Sequence, residues 1–272
     1  MPNSRQPIHQ VATYLYTRAL GVYRKARVAL RSKATSPCQL IIERMEVDFV
    51  LSRLNTKREL QIIDVGSHHG EFLDIFERHV DEHVFNVVCV EPMSENVLVL
   101  RQKSGTYKRV KVKICDVALS DTSGVKTFYQ GSVSTLFTCT PEWTEHFRAA
   151  FVVSRQVPTK CATFDELFDQ FQIARNLPFD FIKIDTEGHD LNVLRSMVAA
   201  HIRPFALMFE IGLDLVSTAS AVSLLRLNGF TEFFVFARTG IPTTFIGEWQ
   251  DLEQIQGLQT AGKLLAGNIV AF

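Results

Sequence analysis

Leu60-Gln61-Ile62-Ile63-Asp64-Val65-Gly66-Ser67-His68-His69-Gly70 reads as a buried strand that runs into a glycine turn. Leu60–Val65 is nearly all apolar, as in a strand covered on both faces. Gly66 permits a sharp turn, and Gly70 lets the next helix, expected over His69–His79, pack closely with its N-terminus towards a ligand. Outward from this stretch, short apolar runs alternate with helical ones. Strands are expected at Asn86–Glu91, Val110–Leu119, Phe179–Asp185, Phe205–Ile211, Phe230–Phe236 and Gly267–Phe272, with a further extended piece at Val125–Tyr129. Helices are expected from Ser94 through Leu98 and Leu100, over Phe164–Phe171, through Leu191, Leu194 and Val198, and over Ala219–Leu227. The Thr163–Glu166 spacing is that of a capping box, and Asn228-Gly229 ends the last helix. This alternation selects an α/β fold: a parallel sheet with helices on both faces. In such sheets ligands bind beyond the carboxyl ends of the strands.

Composition narrows the function. The chain has 272 residues, 46% hydrophobic, with 29 basic against 29 acidic side chains. That content excludes intrinsic disorder. No apolar run reaches the roughly 18–20 residues that span a bilayer, and zero net charge speaks against nucleic acid as the main partner. The five cysteines form no C-x-x-C pair, which fits a reducing, cytoplasmic location.

Charge is uneven along the chain. Residues 1–42 carry seven basic side chains and no acid, and the first carboxylate is Glu43. This divides the chain into a basic N-terminal segment, 1–42, and a main domain, 43–272. Residues 8–32 read as an amphipathic helix with Val11, Leu15, Val22 and Leu30 on one face and Arg24, Arg27 and Arg31 opposite. Such a helix either packs on the main domain, lies on an anionic membrane surface as a peripheral contact, or serves as a targeting peptide. Vesicle co-sedimentation with and without residues 1–35 separates these readings, and equal, negligible binding by both forms ends the membrane one.

Three strand ends carry the cofactor reading. Asp64, Gly66, Ser67 and Gly70 form the first turn. Glu91 ends the second strand, 21 residues past Gly70, where an acid accepts hydrogen bonds from ribose hydroxyls. After the third, the Asp116 carboxylate and the Ala118 amide are placed to read the edge of a base. A dinucleotide fingerprint needs a glycine where this chain has His68, and no P-loop is present. A nucleoside without phosphate, carrying a zwitterionic tail, suits the turn better: S-adenosylmethionine.

Asp64-Val65-Gly66-Ser67-His68-His69-Gly70, Val90-Glu91-Pro92, Ala118-Leu119-Ser120-Asp121 with Gly124, Thr163-Phe164-Asp165-Glu166-Leu167 and Phe181-Ile182-Lys183-Ile184-Asp185-Thr186-Glu187-Gly188-His189-Asp190 follow one another in this order. The succession resembles the FkbM family of S-adenosylmethionine-dependent methyltransferases over about residues 58–272, most specifically at Lys-Ile-Asp-x-Glu-Gly. Where the family usually carries Ala-Asn, this chain has Ser67-His68. The resemblance implies a Rossmann-like class I methyltransferase fold, α/β with a mostly parallel seven-stranded sheet and helices on both faces, whose last strand inserts antiparallel beside strand six. It also implies methyl transfer, most often to a hydroxyl of a sugar or natural product.

A hydroxyl acceptor must lose its proton, and a nearby base contributes about 10²–10⁴-fold. Asp185, Glu187 and His189 follow strand four and form the expected catalytic side, with His189 the candidate base and Asp185 an orienting group. Lys183 alternates with apolar neighbours in the strand, so its amine is expected to reach an acid. Glu210 ends strand five and is a candidate for lining the acceptor pocket. Nothing in the spacing of Asp185, Glu187, His189 and Glu210 demands a metal. Gly131–Arg155, with Phe137, Trp143, His146 and Phe147, is the expected acceptor-side insert, facing a small-molecule or glycan partner. Two alternatives stay open: an NAD-dependent oxidoreductase, and a non-catalytic binding module of the same fold.

Overall fold

The computed structural model describes residues 46–54, 59–78, 83–131, 137–141, 153–210, 215–238, 243–248 and 266–272. Residues 8–32, the 42/43 boundary, and Trp143, His146 and Phe147 lie outside them. The chain divides into two compact units, Met1–Arg53 and Leu54–Phe272. In the first, residues 46–53 are helical. Among the described residues, no helix is long and apolar enough to cross a membrane.

The second unit holds an eight-stranded sheet in the order β11 (Thr243–Glu248), β10 (Phe233–Arg238), β12 (Ala266–Ala271), β9 (Ala206–Glu210), β8 (Phe181–Ile184), β1 (Glu59–Val65), β2 (Val84–Val90), β3 (Val110–Cys115). The pairs from β9 through β8, β1 and β2 to β3 are parallel. β12 inserts antiparallel between β9 and β10, as the resemblance implies. The seven expected strands are all present, and β11 adds an eighth at the edge, antiparallel to β10.

Helices cover both faces, and the two-residue period of the strands decides which side chain goes where. On one face, Ile63, Val65, Ile182, Ile184, Leu207 and Phe209 belong to a single core. That core also takes in Phe164 and Leu167 of α3 (Phe164–Gln170), Val193, Leu194 and Met197 of α4 (Asp190–Ala199), and Val222 and Leu225 of α5 (Leu215–Leu227). On the other, Phe72 and Phe76 of α1 (Glu71–Glu77) meet Phe181 and Phe85, ring centroids 5.8 and 4.7 Å apart. α2 (Ser94–Ser104) links β2 to β3. The expected capping box at Thr163 is present, with both reciprocal hydrogen bonds made.

Two expectations are corrected. The strand expected over Val110–Leu119 breaks at Asp116-Val117. Its first part, β3, stays in the main sheet, and its second, β4 (Ala118–Leu119), joins a separate four-stranded sheet. That sheet runs β4, β7 (Arg155–Ala162), β5 (Gly124–Gln130), β6 (Phe137–Thr138). β7 emerges from residues 131–163, expected as the least regular stretch, with Ser, Thr and Pro scattered among aromatics, and it carries Pro158. Pro158 is tolerated because β4 pairs only with Cys161 and Ala162, leaving that edge of β7 open at position 158.

Candidate active site

The turn after β1 is built around a close approach of two strand ends. Gly66 has φ +79°, and a Cβ there would lie 1.8 Å from the Asp185 carbonyl oxygen, so the position excludes any side chain. The amides of Gly66 and Ser67 donate to Val90 O, and Ser67 Oγ donates to Asp64 O at 2.7 Å, which closes the turn. Gly70, φ +76°, donates its N–H to Ser67 O and opens α1.

Glu91 is buried and organises this turn. Its Oε2 accepts the His68 N–H at 2.9 Å; its Oε1 accepts the Met93 N–H and Asn96 Nδ2. Burial raises its pKa despite these donors. Two carboxylate oxygens offer about four acceptor directions, so one remains for a hydroxyl. Beside it, Pro92, Met93, Asp116, Val117, Phe137 and Arg155 line part of a cleft of about 270 Å³ at the ends of β2 and β3. Asp116 is exposed on its rim, 3.9 Å from Arg101. Ala118 stands beyond the cleft, buried in β4, and Val117 takes the place expected for it.

Asp64 is fully buried. Lys183 Nζ lies 3.4 Å from its Oδ1 and 3.2 Å from Asp185 Oδ2, bridging the ends of β1 and β8. The lysine thus reaches acids, as its place in the strand implied. The first contact is an ion pair without hydrogen-bond alignment: neither Asp64 oxygen has a hydrogen-bond partner among the described residues. Burial raises the Asp64 pKa even with the lysine present.

Beyond β8 the chain makes a tight bend. Asp190 is its anchor: Oδ1 accepts the Thr186 N–H and Oγ1–H at 2.9 and 2.5 Å, and Oδ2 accepts the Glu210 N–H at 2.9 Å. Burial, and then the Asp185 charge, raise Asp190 to about 6. Glu187 adopts φ +53°, which a residue with a side chain seldom takes. Thr138 Oγ1 donates to the Glu187 carbonyl at 2.7 Å and Thr140 Oγ1 to that of Gly188 at 3.3 Å, so β6 and the residue pair after it grip the bend. Burial and the neighbouring Asp185 and Asp190 carboxylates push the Glu187 pKa well up.

His189 is buried, with both ring nitrogens engaged. Asn192 Nδ2 stands 3.2 Å from Nδ1, and Asn192 Oδ1 accepts from Arg195 Nη1, which assigns the amide orientation. Nε2 therefore carries the proton and donates to Ser120 Oγ at 3.0 Å. Ser120 accepts a second hydrogen bond from Lys126 Nζ and donates to Asp121 Oδ1. Burial, then the Lys126 charge, lower His189 to about 4. Of the residues expected on the catalytic side, the bend thus presents Asp185 and Glu187, while His189 is tied into the second sheet. Sequence reasoning missed Asp190 and the Ser120–Asp121–Lys126 group. Asp190 stood in view as a carboxylate at a helix start; the group, 69 residues from His189, gave no local sign.

The methyltransferase FkbM domain matches residues 64–231 of this sequence. The chain belongs to the FkbM methyltransferase family. Its cofactor is S-adenosylmethionine, and the nicotinamide alternative falls with that membership. No curated protein matches the sequence. Among solved structures, the chain is similar to a methyltransferase FkbM from Methylobacillus flagellatus at 14% identity and a TM-score of 0.46, covering 81% of this chain and 45% of that one. The chain thus spans less than half of that relative's length. It is also similar to a precorrin-6y C5,15-methyltransferase from Geobacter metallireducens (13% identity, TM-score 0.41, 84% and 87% covered). A third is the N-terminal domain of human METTL16 in complex with SAH (9%, 0.45, 89% and 72%).

The site of this FkbM domain suits that cofactor. Asp64, fully buried and facing the Lys183 ammonium at 3.4 Å, fixes the shape of the first turn. Glu91 keeps acceptor capacity for a ribose hydroxyl, and Met93, Val117 and Phe137 give the cleft past β2 and β3 an apolar side for a base.

Proposed function

We propose that this protein transfers the methyl group of S-adenosylmethionine to a hydroxyl of a sugar, glycan or small natural product, with Glu187 as the base. The observation that carries the reading is the carboxylate cluster at the end of β8. Glu187 is held in left-handed backbone beside Asp185 and Asp190, in surroundings that raise its pKa. A carboxylate made more basic in this way takes a hydroxyl proton more readily. The bound cofactor supplies an electrophilic methyl group on a sulfonium. Glu187 Oε accepts the acceptor's proton as its oxygen is alkylated, and Asp185, held by Lys183, orients that hydroxyl. His189 serves as a positioning residue that pins the bend to the second sheet through Ser120.

The test is Glu187→Gln, assayed by transfer of labelled methyl groups to a panel of sugars, glycans and hydroxylated metabolites. Turnover falls about 10²–10⁴-fold while S-adenosylhomocysteine affinity, measured by calorimetry, holds. Unchanged turnover places the base elsewhere. Tight cofactor binding by the unmodified chain with no turnover on any acceptor makes it a binding module.

A further inference from the structure

The turn between β1 and α1, which shapes the candidate cofactor site through Gly66 and Gly70, also carries three side chains to which the proposed mechanism gives no role. His68 and His69 stack, ring centroids 3.8 Å apart and planes 26° from parallel. Both rings turn Nδ1 to one carboxylate: His68 Nδ1 lies 3.2 Å from Glu71 Oε1 and Oε2, and His69 Nδ1 lies 3.9 Å from Oε1. The donor atoms of the three residues fall within 4.8 Å of one another, the one such convergence of His, Cys, Asp and Glu among the described residues. Donors about 2.0–2.1 Å from a tetrahedral zinc stand roughly 3.3 Å apart. The His68–Glu71 pair already meets that spacing, and His69 Nδ1 stands 3.9 Å from the same carboxylate.

The backbone fixes this presentation. His68 is held at φ +46°, its N–H on Glu91, and Gly70 turns the chain so that Glu71 faces back over the two rings. The three side chains keep 19%, 33% and 36% of their surface exposed, so an aqueous ion reaches them and water completes its shell. Lys103, whose ammonium donates to His69 O at 2.8 Å, has its charge answered by Asp74 at 2.9 Å. Two imidazoles and one carboxylate suit a first-row transition ion and not magnesium or calcium, which prefer all-oxygen shells.

We propose that His68, His69 and Glu71 bind a divalent transition cation of the zinc class, with three protein ligands and the remaining positions open to water. The proposal uses none of the side chains of the catalytic reading, although its turn follows β1 at the same carboxyl edge of the sheet as the bend after β8.

The experiment uses the full chain without a histidine tag, stripped with chelator and dialysed against Zn²⁺ alone. Bound metal is counted by atomic emission, and Co²⁺ substitution is followed by its visible absorption. His69→Ala and Glu71→Gln remove ligands, and His68→Asn removes the third while tolerating left-handed backbone. The unmodified chain is expected to hold one equivalent of Zn²⁺ that each variant loses, together with the Co²⁺ band, at unchanged circular dichroism. Equal metal content in the unmodified chain and any correctly folded variant overturns the site, as does an unmodified chain that takes up none.

Discussion

A single methyl group at position 66 would collide with the Asp185 carbonyl and force a non-glycine residue to φ +79°. Gly66→Ala is therefore expected to cost about 2–4 kcal/mol of stability and to abolish S-adenosylhomocysteine binding. Urea denaturation and calorimetry measure the two, and an unshifted midpoint would mean that the turn relaxes without loss. Glu91 acts on the same turn by charge. Glu91→Ala should weaken S-adenosylhomocysteine affinity by about 1.5–3 kcal/mol, because a charged hydrogen-bond partner is lost. Part of that loss arises from releasing the His68 and Met93 amides. Unchanged affinity would place the ribose elsewhere. Asp64, Gly66, Glu91 and Asp185 were legible in the sequence because each sits at a strand end, where local pattern and chemistry coincide. The setting of His189 was not, since Ser120, which accepts its hydrogen bond, follows a strand of a sheet that no periodicity announces.

At the scale of elements, the start of α4 is where protonation and folding meet. His189 is held near 4, below its ordinary 6.5, so between those values the unfolded chain binds more protons than the folded one. Its contribution is complete above pH 6.5 and is lost as pH falls towards 4. Asp190 has the opposite sign. Raised to about 6 from 3.8, it costs nothing at low pH and costs stability as pH rises through that interval. The two slopes oppose each other in the native protein. Comparing it with His189→Gln isolates the histidine: the stability difference should narrow by up to about 3 kcal/mol between pH 6.5 and pH 4. A difference that stays constant across that range, followed by chemical denaturation, removes the protonation account. The Thr163 capping box was readable because it spans four residues. β7 was not, because its pairing with β5 and β4 is long-range and no local pattern specifies it.

For the whole molecule, alternation of strand and helix was enough to expect a parallel sheet with helices on both faces. The second sheet and β11 needed pairings that sequence pattern alone does not specify. β12 is what joins β9 to the β10–β11 pair. Removing residues 266–272 should bare one edge of β9, detach β10 and β11, and yield aggregated protein with no cooperative melt. Size-exclusion chromatography and circular dichroism check this, and a monomeric truncated chain with a sharp transition would show that β9 and β10 pair directly.

That insertion also sets a timetable for synthesis. β12 follows every other described strand in the sequence, yet its berth lies inside the sheet. β1, β2, β3, β8 and β9 can zip together while translation continues, whereas β10 and β11 must wait for the closing segment before they dock. During that interval the nascent chain carries an unguarded strand edge, so its dependence on chaperones should last until β12 is made and docks.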